Sequence, residues 1–217
     1  MIKDSFLNFR WQRLALAGPA AAVMYMFSLI GFAAIRTDGY SHGTKAVSEL
    51  GAIDAPYAIW FNLFGFVIPG LLVTCIAVSL LKLTPKRTSR AGFVLLSLSG
   101  LAMAMAGLFP VDLGARSSLT SSMHLLGATA SGLFWMLSLF WIGPTLQKQF
   151  GMYALGRLSP WFGLFLVANI VWQAVWQATG AVLPGWGQRI GFAGYFLWVT
   201  LVGYSLFKYK TFHVPRR

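Results

Sequence analysis

The sequence predicts an all-α integral membrane protein, because three of its features are typical of that class. Of its 217 residues, 57% are hydrophobic and 10% are charged, whereas soluble domains average about 45 to 50% and about 25%. Six segments have about the 20 apolar residues that a helix needs to cross a bilayer. The basic residues cluster between alternate segments, as in multi-pass proteins. We therefore predict a six-transmembrane-helix bundle with both termini cytoplasmic.

The predicted spans form one transmembrane domain over residues 1–217, because the connections are too short for a soluble domain. The long apolar segments lack strand alternation, and helices satisfy their own backbone hydrogen bonds in lipid. The first span has 22 residues, more than the roughly 7 to 15 of a signal-peptide core, so we predict an uncleaved helix. The predicted spans are residues 14–35, 57–81, 91–109, 119–142, 160–178 and 188–207, and residues 36–56 form the longest connection.

The lysine and arginine residues fall unequally on the two sides of the predicted bundle. One side, with both tails, holds 13 of them, and the other side holds four, Arg36, Lys45, Arg116 and Arg189. The positive-inside rule places the side with 13 in the cytoplasm. We therefore predict a multi-pass protein of the cell's inner (plasma) membrane, with residues 36–56 outside.

The formal net charge of +12 follows from the same distribution. Short basic clusters beside helix ends attract anionic headgroups of the cytoplasmic leaflet, at about 1 kcal/mol per residue. This attraction explains the charge without nucleic acid, so we expect membrane lipids as partners and no nucleic acid. A protein partner in a membrane complex is also compatible with the sequence.

The connection of residues 36–56 is long and polar in an otherwise apolar chain. The segment from Thr44 to Leu50 predicts a short helix, with Gly51 as its stop. We expect the connection to fold over the bundle as a lid, and the alternative is an ordinary solvated loop. Its ionisable residues include Asp38, His42, Glu49 and Asp54.

Further polar residues are predicted at the same outer end of the bundle. The fifth span carries three of them at i, i+4 and i+8, so they form one stripe on the helix. Unpaired polar groups cost several kcal/mol in lipid, so we expect these residues to face the bundle interior or a hydrated cavity. Hydrogen bonding between helices is the alternative for the stripe. The predicted ligand-binding residues are Arg189, Gln188, His124, Asn62, Asn169, Gln173 and Gln177.

The ionisable residues at this end are expected to pair with one another. Asp112 follows Pro110 after the third span, His124 lies about one turn inside the fourth, and Arg189 opens the sixth. Four acidic residues face four basic residues on this side, so we expect Asp112 and Glu49 to pair with Arg189 and His124. The alternative is a salt bridge that only holds two helix ends together.

Four segments of the chain resemble a known family: SELGAIDAPYAIWFNLFGFVIPGLL, GLFPVD, SMHLLGA and GQRIGF. They resemble domain-of-unknown-function family 998, which comprises bacterial and archaeal multi-pass membrane proteins. The resemblance covers most of the chain, from the first span to the sixth, and implies a six-helix bundle with no established activity. Glu49, Asp112, His124 and Arg189 stand within these segments, and the resemblance assigns them no role.

The sequence favours a non-catalytic function, the binding of a lipid or small amphiphile. The acyl part would lie along apolar walls between helices, and a phosphate or carboxylate would lie among Arg189, Gln188 and His124. An accessory role in a membrane complex is a second form of this hypothesis. We expect no cofactor, because no span holds a histidine pair at haem spacing.

Two other functions remain open from the sequence. An outward-facing membrane hydrolase would use His124 as a general base, oriented by Asp112 or Glu49, although the chain lacks HExxH and GxSxG motifs. No metal is expected, and His42, His124, Asp112 and Glu49 are only weak candidates for a mixed metal site. A small-solute transporter is the further alternative.

Overall fold

The structure, a computed structural model, describes residues 9–84, 90–180 and 184–208. These residues form helices and connections, without a strand among them, and six helices are long and apolar enough to span a membrane. The predicted all-α, six-span architecture is confirmed. The helices are α1, Ala17–Ala34 within a span that begins at Phe9; α2, Ala58–Leu83; α3, Ala91–Leu108; α4, Leu119–Phe150; α5, Tyr153–Ala178; and α6, Pro184–Lys208.

The six helices form a closed ring in chain order. Each helix packs against the next one, and α6 returns to pack against α1. Aromatic side chains fill the centre, where the ring of Tyr25 lies 4.6 Å from that of Phe196 and the ring of Phe66 lies 5.9 Å from that of Phe192. We call the end of the bundle with residues 36–57 and 109–118 the loop end, and the opposite end the tail end.

Two helices run further at the tail end than the predicted spans. α4 ends at Phe150 and α5 begins at Tyr153, whereas the spans were predicted to end at residue 142 and to begin at residue 160. Hydropathy detects the membrane crossing, and a helix continues past the crossing where its backbone is not interrupted. Gly151 provides the interruption, because its φ of 65° is the left-handed conformation that ends helices.

α2 contains a π-helical segment, Asn62–Val67, directly before Pro69. Proline lacks the N–H that would bond the carbonyl four residues earlier, and its ring collides with that carbonyl in a regular α-helix. A wider turn before the proline relieves this collision. The irregular turn of α2 therefore lies on the loop side of the proline.

α5 and α6 pack closely because glycines of α6 leave room for side chains of α5. A Cβ at Gly187 would overlap the side chain of Gln173, and a Cβ at Gly191 would press on Asn169. Small residues allow this kind of approach in membrane bundles. The polar stripe predicted for the fifth span therefore meets α6 through Asn169 and Gln173.

Residues 36–57, which we call the outer loop, fold over the loop end of the bundle. Their centre is a 3₁₀ helix, Val47–Gly51, which begins three residues after the start of the short helix predicted at 44–50 and ends one residue after its predicted end. Val47 and Leu50 are 0% and 1% exposed, so both side chains belong to the core. The backbone N–H of Ile53 also donates to the Val111 carbonyl, over 2.8 Å. The loop is thus docked on the bundle, as the lid hypothesis predicted.

Candidate functional site

A cavity of about 510 Å³ lies beneath the outer loop, between α3, α4, α5 and α6. Ser48 and Gln188 line it at the loop end, and Trp135 and Tyr195 line its deeper part. Gln188 and Tyr195 are seven residues apart on α6, which is about 10 Å along the helix axis. The polar side chains that line the cavity are Ser48, His124, Thr129, Ser131, Asn169, Gln173, Gln188 and Tyr195.

The cavity opens on the outside of the bundle, between the loop-end halves of α4 and α5. Leu125 and Leu133 of α4 and Ile170 of α5 line the cavity and are 66%, 47% and 54% exposed. Nearer the tail end the same two helices are in contact, because Gly163 lies against Met136 and Leu139. The helices therefore leave a mouth with apolar edges on the surface that lipid would cover.

His124 is fixed in the cavity wall by two backbone carbonyls. Its Nδ1 lies 2.8 Å from the Ala106 oxygen and 3.1 Å from the Phe109 oxygen. Both partners are acceptors, so Nδ1 carries a hydrogen, and in the neutral imidazole Nε2 is then the acceptor nitrogen. The imidazole also packs edge-on against Phe66, with 6.1 Å between ring centroids. His124 is thus a hydrogen-bonding group with a fixed orientation.

A small hydrogen-bonded network lies at the deeper end of the cavity. The Ser99 hydroxyl is 3.0 Å from the Tyr195 hydroxyl and donates to the Ser131 carbonyl over 2.8 Å. Ser99 is fully buried, and Ser131 and Tyr195 line the cavity. The network joins α3, α4 and α6, so it holds the polar wall in place.

Two buried polar atoms of the cavity wall have no hydrogen-bond partner within the described residues: Asn169 Oδ1 and Trp135 Nε1. Asn169 is 6% exposed and Trp135 is 1% exposed. The amide nitrogen of Asn169 does have a partner, because it donates to the Gly187 carbonyl over 3.0 Å. Buried polar atoms are nearly always paired in folded proteins. These two atoms therefore leave hydrogen-bonding capacity in the wall that no described group of the protein uses.

Arg189 lies beside the cavity and binds the outer loop. Its Nε donates to His42 Nδ1 over 3.1 Å, one terminal nitrogen donates to the Lys45 and Gly185 carbonyls, and the other donates to the Tyr40 hydroxyl over 2.6 Å. The Tyr40 hydroxyl donates in turn to the Ala46 carbonyl. We call Arg189, Tyr40, His42 and the Lys45 carbonyl the clasp.

The electrostatics of the clasp keep its two aromatic members neutral. Burial, and then the positive charge of Arg189, lower the pKa of His42 below its usual value. This favours the unprotonated Nδ1 that accepts the hydrogen bond from Arg189. Burial raises the pKa of Tyr40, so its hydroxyl keeps the proton that it donates. The clasp therefore holds one net positive charge, on Arg189.

Gln188 connects the outer loop to the cavity. Its side-chain oxygen accepts from the backbone N–H groups of Val47 and Ser48, over 2.8 and 3.4 Å. These are free donors at the start of the 3₁₀ helix, so Gln188 caps that helix from a different part of the chain. Because Gln188 also lines the cavity, the loop and the cavity roof share one anchor.

The predicted pairing of Asp112 and Glu49 with Arg189 and His124 is wrong on this geometry. Asp112 accepts from the N–H groups of Gly114 and Ala115, both over 2.9 Å. Glu49 accepts from the N–H of Ala46 and lies 3.5 Å from the Lys45 ammonium. Both carboxylates thus accept hydrogen bonds from the backbone of their own turns. Backbone donors a few residues away are nearer to them than side chains on another helix.

Three predicted ligand residues lie outside the cavity, and four line it. Asn62 donates to the Gly51 carbonyl over 2.8 Å, so it anchors the outer loop. Gln177 is exposed near the end of α5, and Arg189 belongs to the clasp. Among the described residues no three His, Cys, Asp or Glu side chains come together, so the weak candidates for a mixed metal site do not form one. The predicted residues that line the cavity are His124, Gln188, Asn169 and Gln173.

Sequence reasoning missed Ser131, Trp135 and Tyr195. A signal for two of them exists in α4, where small or polar residues recur every three or four positions on one helix face. A helix face that only packs against neighbouring helices is normally apolar. The repeated serines on this face therefore indicate a polar wall. That face comprises the buried residues Ser121, His124, Gly127, Ser131, Trp135 and Ser138.

Comparison with known proteins adds one finding to this geometry. Curated proteins give no match, and solved structures give none either. A family model does match, over residues 19–205, which includes all six helices in part or in full and every cavity residue named above. This chain therefore belongs to the family described as protein of unknown function, DUF998.

Proposed function

We propose that this chain is a non-catalytic integral membrane protein that binds a lipid or another small amphiphile in the cavity beneath the outer loop. The observation that carries the proposal is the mouth between α4 and α5, where Leu125, Leu133 and Ile170 are exposed yet line the cavity. An acyl chain entering from the bilayer stays in contact with apolar surface throughout. Its head then meets His124, Asn169 and the other polar groups of the wall.

The contacts of His124 favour binding over hydrolysis. A histidine that acts as a general base is normally oriented by a carboxylate or another polar group next to the reacting atoms. Within the described residues, His124 contacts two carbonyls and the Phe66 ring, and Asp112 and Glu49 are held elsewhere. The side chain is oriented but has no acidic partner, which suits a hydrogen-bonding role.

We also propose the orientation that the charge distribution indicates, with both tails cytoplasmic and the outer loop on the external face of the inner membrane. Thr44 and Lys148 are exposed residues near opposite ends of the bundle. Single cysteines at these positions, in a Cys75→Ser background, should react with an impermeant maleimide from opposite sides of the membrane. Labelling of Thr44→Cys only after the membrane is broken would reverse the orientation.

Retention of lipid by the purified protein tests the binding function. Ala128 is exposed in the mouth of the cavity, and Ala168 is exposed on α5 away from the cavity lining. Tryptophan at Ala128 should block the mouth, whereas Ala168→Trp adds the same bulk on another surface. Each protein is released from native membranes into mild detergent, and native mass spectrometry identifies the lipid that stays bound.

We expect the wild type and Ala168→Trp to retain an amphiphile of the same mass, and Ala128→Trp to lose most of it. Equal retention by all three proteins would place the lipid on the outer surface and overturn the proposal. Absence of a retained amphiphile from all three would also overturn it.

A further inference from the structure

We propose that the cavity selects amphiphiles with an uncharged, hydroxyl-bearing head, such as a monoacylglycerol or a long-chain alcohol, over phosphate- or carboxylate-bearing ones. This inference rests on the proposed function, because it names the class of molecule that the same cavity takes. The proposed uncharged head differs from the phosphate or carboxylate head that Arg189 suggested in the sequence analysis.

The first argument is the absence of charge from the cavity wall. None of the described lining residues is Asp, Glu, Lys or Arg, and the polar ones are hydroxyls, amides and one imidazole. A phosphate or carboxylate moved from water into such a wall loses its hydration and gains no counter-charge, which is strongly unfavourable. An uncharged head replaces its water hydrogen bonds with those of the wall.

The second argument is that Arg189 uses four of its five N–H donors on groups outside the cavity. Its three nitrogens already bond His42, Tyr40 and the carbonyls of Lys45 and Gly185. A phosphate that recruited Arg189 would have to break the clasp and release the outer loop. The guanidinium therefore has a structural role, which is to hold the outer loop.

The third argument is the chemistry of the two unpaired atoms. Asn169 Oδ1 is an acceptor and Trp135 Nε1 is a donor, both buried in the wall. His124 Nε2 adds a second acceptor, since Nδ1 holds the hydrogen. A hydroxyl group both donates and accepts, so a head with one or more hydroxyls can satisfy acceptors and donor alike. A phosphate or carboxylate in its charged form offers acceptors but no donor for Asn169 or His124.

The test compares three photoactivatable probes that share one 16-carbon diazirine chain and differ only in the head. They are the monoacylglycerol, the lysophosphatidic acid and the free fatty acid, each added to the full chain in neutral phosphatidylcholine nanodiscs. Cross-links are mapped by mass spectrometry to the cavity peptides, and the exposed α1 residue Phe27 reports general contact with lipid. The fatty acid probe is used above pH 8, where its carboxyl is ionised.

We expect cavity labelling by the monoacylglycerol to exceed that by either anionic probe by about tenfold or more. Trp135→Phe keeps a six-membered aromatic ring and removes the five-membered ring with its N–H, so it should lower monoacylglycerol labelling about fivefold, the effect of one lost hydrogen bond. Asn169→Leu should lower it similarly. Labelling of α1 should be the same with all probes and variants.

Equal or stronger cavity labelling by an anionic probe would overturn the neutral-head inference and leave the binding function intact. Failure of every probe to label the cavity above the α1 level would overturn the binding function itself. The probe ranking in the wild type decides the inference even if Asn169→Leu does not fold. Unchanged labelling in Trp135→Phe would show that the indole N–H does not bind the head of the amphiphile.

Discussion

Two polar regions lie side by side at the loop end of the bundle, the clasp and the cavity wall, and they differ in how completely their hydrogen bonds are satisfied. In the clasp, Arg189 uses all three nitrogens on groups of its own chain. In the cavity wall, Asn169 Oδ1 and Trp135 Nε1 are buried without a partner among the described residues. Four of the five N–H donors of Arg189 are thus paired in the clasp, whereas the cavity wall holds two buried polar atoms without a partner among the described residues.

This difference shows why charge alone is a poor guide to a binding site in a membrane protein. An arginine at the membrane edge is costly unless it is paired, so the fold itself supplies its partners. A neutral amide or indole costs less when left unpaired, so a fold can keep it open for a ligand. Arg189, a group of the first kind, holds the outer loop, and the cavity wall contains buried groups of the second kind.

The largest expected effect comes from breaking the clasp. Arg189→Gln removes the donors to two carbonyls, a phenol and an imidazole. A hydrogen bond from a charged group contributes about 1.5 to 3 kcal/mol to stability. Because the site is partly exposed, we expect a total loss of about 2 to 4 kcal/mol in unfolding free energy. Trypsin should then cut faster at Lys45, which is exposed in the outer loop.

Arg116→Gln is the matched control for this experiment, because Arg116 is an exposed arginine at the same end of the bundle. It should change neither the unfolding free energy nor cleavage at Lys45 by a measurable amount. Cleavage at Lys45 as slow in Arg189→Gln as in wild type would show that the clasp does not hold the loop.

The same tryptophan substitution at two sites sharpens the contrast between satisfied and open groups. Trp198 Nε1 donates to the Ser159 hydroxyl over 3.0 Å, whereas Trp135 Nε1 has no partner in the described structure. Both side chains are buried, at 0% and 1% exposure, so replacement by Phe removes similar volume. We expect Trp198→Phe to destabilise the delipidated protein by about 1 kcal/mol more than Trp135→Phe does.

Thermal and chemical unfolding of both variants in detergent measure this difference. If Trp135→Phe is the more destabilising of the two, its indole N–H has a partner within the protein, and the cavity wall is as saturated as the clasp.

Acid should weaken the clasp through His42. Its pKa is lowered in the docked loop, so the released loop, with a pKa of about 6.5, binds the proton more readily. The contribution of His42 to docking is therefore complete above about pH 6.5 and is lost as the pH falls through the lowered pKa. Protonation would put a second cation beside Arg189, with Lys45 also near and no carboxylate among the described contacts of His42.

We expect a weakening below about 1 kcal/mol, because the site is mostly exposed. Hydrogen exchange of residues 44–52, corrected for the intrinsic effect of pH, should show less protection at pH 5 than at pH 7.5. His42→Asn keeps an uncharged acceptor for Arg189 and should remove most of this pH dependence. A pH dependence that persists in His42→Asn would assign it to another group.

The smallest expected effect is the coupling between Arg189 and Asp112. Each residue binds different partners, so the stability changes of Arg189→Gln and Asp112→Asn should add to within about 0.5 kcal/mol in a double-mutant cycle. Asp112→Asn should itself cost little, because an asparagine oxygen still accepts from Gly114 and Ala115. A coupling energy above about 1 kcal/mol would mean that the clasp and the Asp112 turn act as one unit.

Much of the loop-end architecture could be predicted from local sequence signals. The short helix predicted at 44–50 is present as the 3₁₀ helix Val47–Gly51, and the predicted docking of the outer loop is present through the buried side chains of Val47 and Leu50. The ion pairs could not be predicted, because pairing the acids and bases by count ignores nearby backbone donors. The carboxylate of Asp112 accepts hydrogen bonds from the backbone N–H groups of Gly114 and Ala115, and that of Glu49 accepts one from Ala46.

By itself the sequence determined the fold class, the six spans and the polar character of the loop end, since hydropathy and segment length are sums over neighbouring residues. Only the tertiary structure decided which polar side chain faces the cavity. Gln188 and Arg189 are adjacent, yet Gln188 lines the cavity and Arg189 holds the outer loop. Successive residues of a helix point about 100° apart, and the rotation of α6 in the ring, set by packing around its glycines, fixes where each one points.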